Sequence, residues 1–539
     1  MLFHNKLKSV EILLIIFIGI LLLSRILLMS TIVLTDNTES RYAEIARLTL
    51  THGLWLMPHT EIGQPFFAKP PLSIWLSALS GKLFGISAFS MRLPAFLAGL
   101  LTLWCVWQWD RQLSRSARLF CLFAALTSPL FFISIGAVMT DAVQMACVTA
   151  ALLCVQRCLT QTHTKYWRIA FWLACGLGML IKGLATLALI FLPLILFAIS
   201  GAGYRRLWQK LWSPLGISLG ILVCIPWYIA AESAYPGFLQ YFFIGEHLMR
   251  FIDPNWSGDR FGHPHRYPIG TIWLFWIIAI LPWIWIFIRQ AYLKLQPASW
   301  SHSNSRSQVE REGERVGQTT GLTKRHWIQH GDEPHSETEN EVSEEANVST
   351  ANVKQSGRNY KVIRMKWNLN QSDETQRLLW CACLAPLLFF TFARSIIVTY
   401  PLTAIPPFVI LIGYWYTKQP HPLRKPFFVC ASVLLTSVML ISIFWLPKKF
   451  EAYSARTMIE IFQLHASPEQ KLIYTFQPPY SAYFHSKNKI QVMTQTADWL
   501  AAFNQPGNLI VLTTQTQIPD TAHFNLLHQD KKFILIQTK

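Results

Sequence analysis

Runs of about twenty mainly apolar residues recur along most of this 539-residue chain, and no other feature constrains its fold as strongly. A run of that length crosses a bilayer as a helix, because lipid offers the backbone no hydrogen-bond partners and the segment must satisfy its own. Eleven spans are read, near 12–34, 91–109, 117–137, 142–159, 167–181, 183–200, 213–231, 269–289, 379–395, 399–417 and 426–446. Composition agrees: 52% of the residues are hydrophobic and 14% are charged, where a soluble domain carries about 25% charged residues. A disordered chain and a disulfide scaffold are excluded, and the fold class is a polytopic α-helical membrane protein.

The net charge of +18 would suggest nucleic acid in a soluble chain. Here it reads as topology. Lys6, Lys8, Arg111, Arg115, Arg118, Arg157, Lys165, Arg168, Arg205, Arg206, Lys210, Lys418, Arg424 and Lys425 fall in the N-terminal tail and in alternate loops, opposed there only by Glu11 and Asp110. Those loops are expected to be cytoplasmic, with the nearly charge-balanced segments between them, and the C-terminus, on the outer side. The first span follows a basic tail, but its apolar stretch is too long for a signal peptide and no small-residue cleavage site follows, so it reads as a retained helix. All ten cysteines lie in or beside the spans and read as packing residues.

Four regions follow. Residues 1–295 form an N-terminal transmembrane region with a first outer loop at 35–90, and 296–375 form a polar insertion expected to be disordered and cytoplasmic. Residues 376–446 return to the membrane. Residues 447–539 alternate β-like runs (Lys471–Phe476, Lys489–Met493, Asn508–Thr513, Phe533–Gln537) with helix-compatible stretches such as Thr496–Phe503, which indicates a small α/β domain outside the membrane. No phosphate-binding glycine loop and no fixed-period repeat is present.

The polar residues that a plain helical bundle would not need gather in the outer segments. The first group runs from Asp36 to Arg47 and includes Glu39, Arg41, Tyr42 and Glu44. Its plain reading is a solvated amphipathic helix from Glu39 to Thr51, capped by Thr38. The second places Lys69 directly before Pro70-Pro71, as a snorkelling cation or as a phosphate clamp held by a stiff backbone. The third and fourth are Asp141 and Lys182-Gly183 in tight outer turns, where an ionisable residue near membrane depth is costly and is a functional candidate; N-capping is the alternative for Asp141. The long loop 232–268 carries Glu246, His247, Arg250, His263, His265 and Arg266, with Glu246 and Arg250 spaced as an i,i+4 pair. The histidine spacing is not that of a zinc site, so no structural or catalytic zinc is expected. Carboxylates, cations and aromatics on one membrane face suit an anionic, lipid-linked substrate whose headgroup meets the protein at the interface. A transporter would place its site near the midplane instead.

Several of these runs resemble a known family. Thr38-Glu39-Ser40-Arg41-Tyr42-Ala43-Glu44-Ile45-Ala46-Arg47, Gly53-Leu54-Trp55-Leu56-Met57-Pro58, Phe66-Phe67-Ala68-Lys69-Pro70-Pro71-Leu72 and Arg92-Leu93-Pro94 look like the N-terminal signature of bacterial GT-C glycosyltransferases of the ArnT-like, aminoarabinose-transferring type, more distantly related to protein O-mannosyltransferases. Thr140-Asp141, Lys182-Gly183, Glu246-His247, Arg250-Phe251 and Tyr400 ahead of Pro406-Pro407 also match. The resemblance covers the membrane domain outside 296–375. It departs where Thr38 replaces an aspartate, where Ala68 replaces a glutamate, and where a lysine before Tyr400 is missing, with Arg394 the nearest cation.

The resemblance implies transfer of a sugar from a polyprenyl-phosphate donor to lipid A or another envelope acceptor at the periplasmic face of a bacterial inner membrane. It implies that Lys69 and Arg41 bind donor phosphate, that Tyr42 lines the headgroup site, and that Glu39 belongs to an acidic pair. Lys182, Glu246, His247, Arg250 and Tyr400 would complete the cavity with Asp141. Glu39, Asp36 and Asp141 are the candidate bases for a hydroxyl acceptor, and a phosphate acceptor needs none. No cofactor is implied, and a divalent metal is not required by the chemistry. Related readings are transfer to protein, O-antigen or core sugar; a flippase for lipid-linked sugars belongs to another class and would line a path between both faces.

Overall fold

The computed structural model describes residues 2–36, 38–253, 256, 258, 260–261, 267–284, 286, 288, 371–393, 395–418, 441, 445–514, 523–530 and 533–539. Most of the span read at 426–446 and most of the 296–375 insertion lie outside the described residues, as do His263, His265, Arg266 and Arg394. One compact unit comprises residues 1–286 and 370–539.

Within it, helices α1 (Leu2–Thr31), α2 (Glu39–Thr51), α3 (Leu72–Phe84), α4 (Ala88–Gln108), α5 (Arg115–Leu126), α6 (Pro129–Ser134), α7 (Thr140–Thr160), α8 (Lys165–Lys182), α9 (Leu184–Phe197), α10 (Tyr204–Leu211) and α11 (Pro214–Ala234) follow in order. A small hairpin, β1 (His59–Glu61) with β2 (Gln64–Pro65), lies between α2 and α3. A π-helix, Gln240–Met249, then precedes α12 (Thr271–Ala279), α13 (Gln371–Thr391) and α14 (Ile405–Lys418). Five described helices are long and apolar enough to cross a bilayer: Val10–Thr31, Ala88–Gln108, Thr140–Thr160, Leu184–Ala202 and Pro214–Ala234. Small residues let the bundle close. A Cβ on Gly176 of α8 would lie 2.3 Å from the Gly220 carbonyl oxygen of α11.

The run read as one span at 117–137 is two helices. The Thr127 hydroxyl turns back to the Phe123 carbonyl, that of Ser128 to Ala124, and Pro129 starts α6 at a position where a missing N–H costs nothing. The run at 269–289 likewise opens with only nine helical residues in α12.

The last part of the chain holds α15 (Leu446–Glu451), α16 (Arg456–His465), α17 (Tyr480–Ser486) and α18 (Thr496–Phe503) around a five-stranded sheet. Its order is β4 (Ile490–Val492), β3 (Leu472–Tyr474), β5 (Leu509–Thr513), β7 (Phe533–Thr538), β6 (Phe524–Gln529). β3 pairs parallel with β4 and β5, while β7 runs antiparallel to β5 and β6. Alternate residues of β5 face two cores: Leu509 and Val511 pack with α16, Ile510 and Leu512 with α18.

This sheet unit is fastened to the first outer segment. The Asp36 amide donates to the Tyr453 carbonyl at 2.8 Å, and the Asp36 carboxylate accepts from the Ser481 amide at 2.9 Å in the first turn of α17. Arg47 bridges Glu44 and Asn488, and Phe484 enters the apolar cluster around Ala43, Ile45 and Ala46. The helix α2 is therefore not the solvated amphipathic helix of its plain reading. Ten of its thirteen residues are buried, Glu44 and Arg47 among them, and Thr38 makes no side-chain cap.

Candidate active site

A cavity of about 820 Å³ opens where α2, the segment before α3, the α7 and α8 termini, the π-helix, the segment 395–400 and the start of α17 converge. Asp36, Arg41, Tyr42, Lys69, Asp141, Lys182, Glu246, His247, Arg250 and Tyr400 all line it. Ten of the eleven residues singled out in the sequence thus meet in one place, from positions as far apart as 36 and 400.

Two networks organise the charges. Asp141, in the first turn of α7, accepts from Lys182 at 2.9 Å and from the Thr399 hydroxyl at 2.9 Å. The Lys182 ammonium, at the end of α8, also reaches Gln144 at 3.4 Å and lies 5.5 Å from the Tyr400 ring centre. Met139, not Asp141, occupies the α7 cap position. Glu246 accepts from Lys69 at 3.2 Å, Arg250 at 2.9 Å and Tyr241 at 3.1 Å, so the i,i+4 pair with Arg250 is part of a buried three-way junction. Burial of the Glu246 carboxyl would raise its pKa, but the charges of Lys69 and Arg250 outweigh this and hold it below the usual glutamate value.

His247 links the networks. Its Nδ1 faces the Phe242 carbonyl at 2.8 Å and its Nε2 the Lys182 carbonyl at 3.2 Å. Burial and the nearby Lys69 keep its pKa below the ordinary 6.5 despite those carbonyls. Gly183 makes the approach possible: at φ 63° it turns the chain from α8 to α9, and a Cβ there would fall 2.6 Å from the Phe242 ring and 3.1 Å from His247.

Arg41 differs from the other cations. Among the described residues no carboxylate pairs with it; one nitrogen donates to the Phe261 carbonyl, and the guanidinium lies over Tyr42 and Phe66, 5.7 and 6.0 Å from their ring centres. Four cations and three carboxylates therefore line the cavity.

Glu39 stands apart, outside the lining residues. Both its oxygens are claimed at 2.7 Å by Arg92, Oε1 also accepts from the Val138 amide at 3.2 Å, and Oε2 from the Thr35 amide at 3.4 Å. Arg92 in turn donates to the carbonyls of Met29, Ile32 and Val33, where α1 runs out of partners. Burial of the Glu39 carboxyl acts to raise its pKa, yet Arg92 and the two amides bring it below the ordinary value. With every lone-pair direction filled, this carboxylate has no site for a substrate proton.

Residues not anticipated from sequence also line the cavity. Thr399 orients Asp141, Phe66 and Phe261 supply aromatic wall, and Pro478, Pro479 and Tyr480 come from the sheet unit. Their sequence signals are slight: Phe66 lies in the run that leads to Lys69, and Pro478-Pro479 repeats the stiff double proline of Pro70-Pro71. Among the described residues no group of three or more His, Cys, Asp or Glu is placed to hold a metal ion.

Comparison with known proteins fits this geometry. Residues 68–229 match the family model described as dolichyl-phosphate-mannose-protein mannosyltransferase. The undecaprenyl phosphate-alpha-4-amino-4-deoxy-L-arabinose arabinosyl transferase of Edwardsiella ictaluri is 30% identical over 253 residues, 46% of this chain and 44% of that protein. The enzyme of the same name from Pectobacterium carotovorum is 26% identical over 398 residues, 72% of this chain and 56% of that protein. The crystal structure of ArnT from Cupriavidus metallidurans bound to undecaprenyl phosphate superposes with a TM-score of 0.69 over 97% of both chains, at 16% identity. The chain is ArnT-like in sequence and in fold. It shares the fold of that protein, and five of its described helices are long and apolar enough to cross a membrane. The chain spans about half the length of the curated relatives it matches.

Proposed function

We propose that the protein is an integral-membrane glycosyltransferase that moves a sugar from a polyprenyl-phosphate donor to lipid A or another cell-envelope acceptor. One observation carries the reading: Lys69, Lys182, Arg250 and Arg41 converge on a single cavity against only three carboxylates, in a fold shared with a protein crystallised with undecaprenyl phosphate. In the reaction the bond between the anomeric carbon and the phosphate oxygen breaks, its electron pair leaves with the polyprenyl phosphate, and an acceptor oxygen bonds to the same carbon. The leaving group is already stable, so the protein's task is to hold it and to neutralise its growing charge. Lys69, Arg250 and Lys182 are preorganised for this in a partly dry site. A hydroxyl acceptor gives its proton to a carboxylate of the wall, Asp141 or Asp36; a phosphate acceptor has none to give.

The topology belongs to the same reading. Eleven spans place the N-terminus in the cytoplasm and the cavity and sheet unit in the periplasm of a bacterial inner membrane, with residues 296–375 as a cytoplasmic insertion. A phosphatase reporter fused at Ser299 should be inactive; activity there would invert the assignment.

The function is tested by mass spectrometry of lipid A, core oligosaccharide and glycoproteins from a deletion strain, complemented by wild type or by Lys69→Ala. Loss of one glycan in the deletion, restored only by wild type, is expected. An unchanged envelope, or full rescue by a folded and inserted Lys69→Ala protein, would overturn the reading.

A further inference from the structure

The cavity wall is chemically divided. One part is the bonded network of Lys182, Asp141, Glu246, Lys69 and Arg250, in which every cation already faces a carboxylate. The other part is aromatic, with Tyr42, Phe66, Phe261 and Tyr480 around Arg41, the cavity cation with no carboxylate partner among the described residues.

Tyr480 is built into this wall from both sides. The stiff pair Pro478-Pro479 leads into it, with Pro479 extended at φ −68° and ψ 151°. Just before the prolines, Gln477 donates to Glu61 of β1 at 2.7 Å; just after, the Ser481 amide is held by Asp36 at 2.9 Å. A ring pinned at both flanks to the first outer segment loses little conformational entropy on meeting a ligand. Among the described residues its hydroxyl takes no hydrogen bond, and of the charged groups that act on it Arg41 acts most strongly.

A single, inverting displacement at a sugar carbon, the step proposed above, brings the acceptor in on the side away from the leaving group. If the lysines and Arg250 hold the leaving phosphate, the aromatic part is what remains for the acceptor. We infer that Tyr480 contacts the acceptor, and that with Arg41 it receives the headgroup of an anionic glycolipid, the ring lying against sugar and the guanidinium against phosphate. The sheet unit is then one wall of the active site, and Arg41 moves from the donor phosphate, where the family resemblance puts it, to the acceptor. This rests on the glycosyl-transfer reading above.

The test uses full-length protein in lipid nanodiscs and measures binding of two probes, undecaprenyl phosphate and lipid A, by native mass spectrometry. Tyr480→Ala should weaken lipid A binding about tenfold, equivalent to ~1.4 kcal/mol, and leave undecaprenyl phosphate within about twofold. Tyr480→Phe, which keeps the ring and the fold, should fall between wild type and Tyr480→Ala. Unchanged lipid A binding in Tyr480→Ala, parallel loss of both probes in both variants, or a wild type that binds undecaprenyl phosphate but not lipid A would each overturn the assignment. A wild type that binds lipid A through Tyr480 but not undecaprenyl phosphate would instead remove the donor reading and leave the contact standing.

Discussion

Replacing Glu39 with alanine separates two roles that one residue has been given. As a catalytic base it would be dispensable for folding and essential for transfer. As the partner of Arg92 it is essential for folding. The structure supports the second: Arg92 is 2% exposed, and Glu39→Ala removes two charge-assisted bonds of 2.7 Å while leaving the guanidinium in place. Breaking one side of a buried pair costs roughly 3–5 kcal/mol, because the remaining charge has no compensation. The three carbonyls of Met29, Ile32 and Val33 retain Arg92 as a donor, which places the expected loss toward the lower end of that range. Thermal unfolding of the detergent-solubilised protein should show Glu39→Ala and Arg92→Met both strongly destabilised, and the double variant Glu39→Ala with Arg92→Met less so than the sum. Transfer by the folded fraction of Glu39→Ala should stay within about tenfold of wild type, a change of no more than ~1.4 kcal/mol in the barrier. A Glu39→Ala protein that melts like wild type yet transfers nothing would refute the reasoning and return Glu39 to the chemistry.

Other perturbations give distinct signatures. Because Glu39 and Glu246 have lowered folded-state pKa values, the stability they contribute is fully present above the ordinary glutamate value of 4.5 and is lost as pH falls through their folded values, so an acid melting series should lose cooperativity only below that range. His247 stays neutral at pH 7, and its depressed pKa costs stability as pH falls below 6.5; the donor KM should therefore show no histidine titration between pH 7 and 8, and one appearing there would contradict its burial. Asp36→Ala removes the carboxylate that holds the Ser481 amide, costs about 1 kcal/mol by analogy with helix caps, and should speed protease cleavage after α15 without altering cleavage elsewhere. Lys182→Ala leaves Asp141 with Thr399 as its remaining hydrogen-bond donor in the network and should abolish detectable transfer, whereas Lys182→Arg should retain part of it.

How much of this was legible in the sequence depends on the range over which each interaction acts. Lys69 before a double proline, Asp141 and Lys182 in tight turns, and Glu246 one turn before Arg250 are local patterns, and all reached the cavity wall. The pairing of Glu39 with Arg92 spans 53 positions, and that of Asp36 with Ser481 spans 445. Nothing local distinguishes a carboxylate aimed at substrate from one aimed at a distant arginine. The same limit hid the burial of α2. Its charges at Glu39, Glu44 and Arg47 have the composition of a solvated face, and only Arg92 and Asn488 from remote segments make their burial affordable. The break at Thr127-Ser128 was visible in principle, since Ser-Pro is a helix-start signal, but apolar residues resume at once beyond it and keep the average of the run high.

The electrostatics of the cavity explain why so many carboxylates accompany a site for an anion. Four cations facing a partly desolvated space would repel one another and destabilise the empty protein. Asp141 and Glu246 compensate them while the site is vacant: Lys182 is held by one, and Lys69 with Arg250 shares the other. The sharing matters, since two cations on one carboxylate leave one positive charge uncompensated, and that excess is what a phosphate monoanion or dianion can use without expelling Glu246. A phosphate arriving at Lys69 and Arg250 needs only to rotate two side chains that are 20% and 25% exposed, whereas one arriving at Lys182 must compete with an ion pair at 2.9 Å whose two partners are almost wholly buried. On the proposed glycosyl-transfer reading, the donor phosphate therefore goes first to Lys69 and Arg250, with Lys182 fixing Asp141 and Tyr400 beside it.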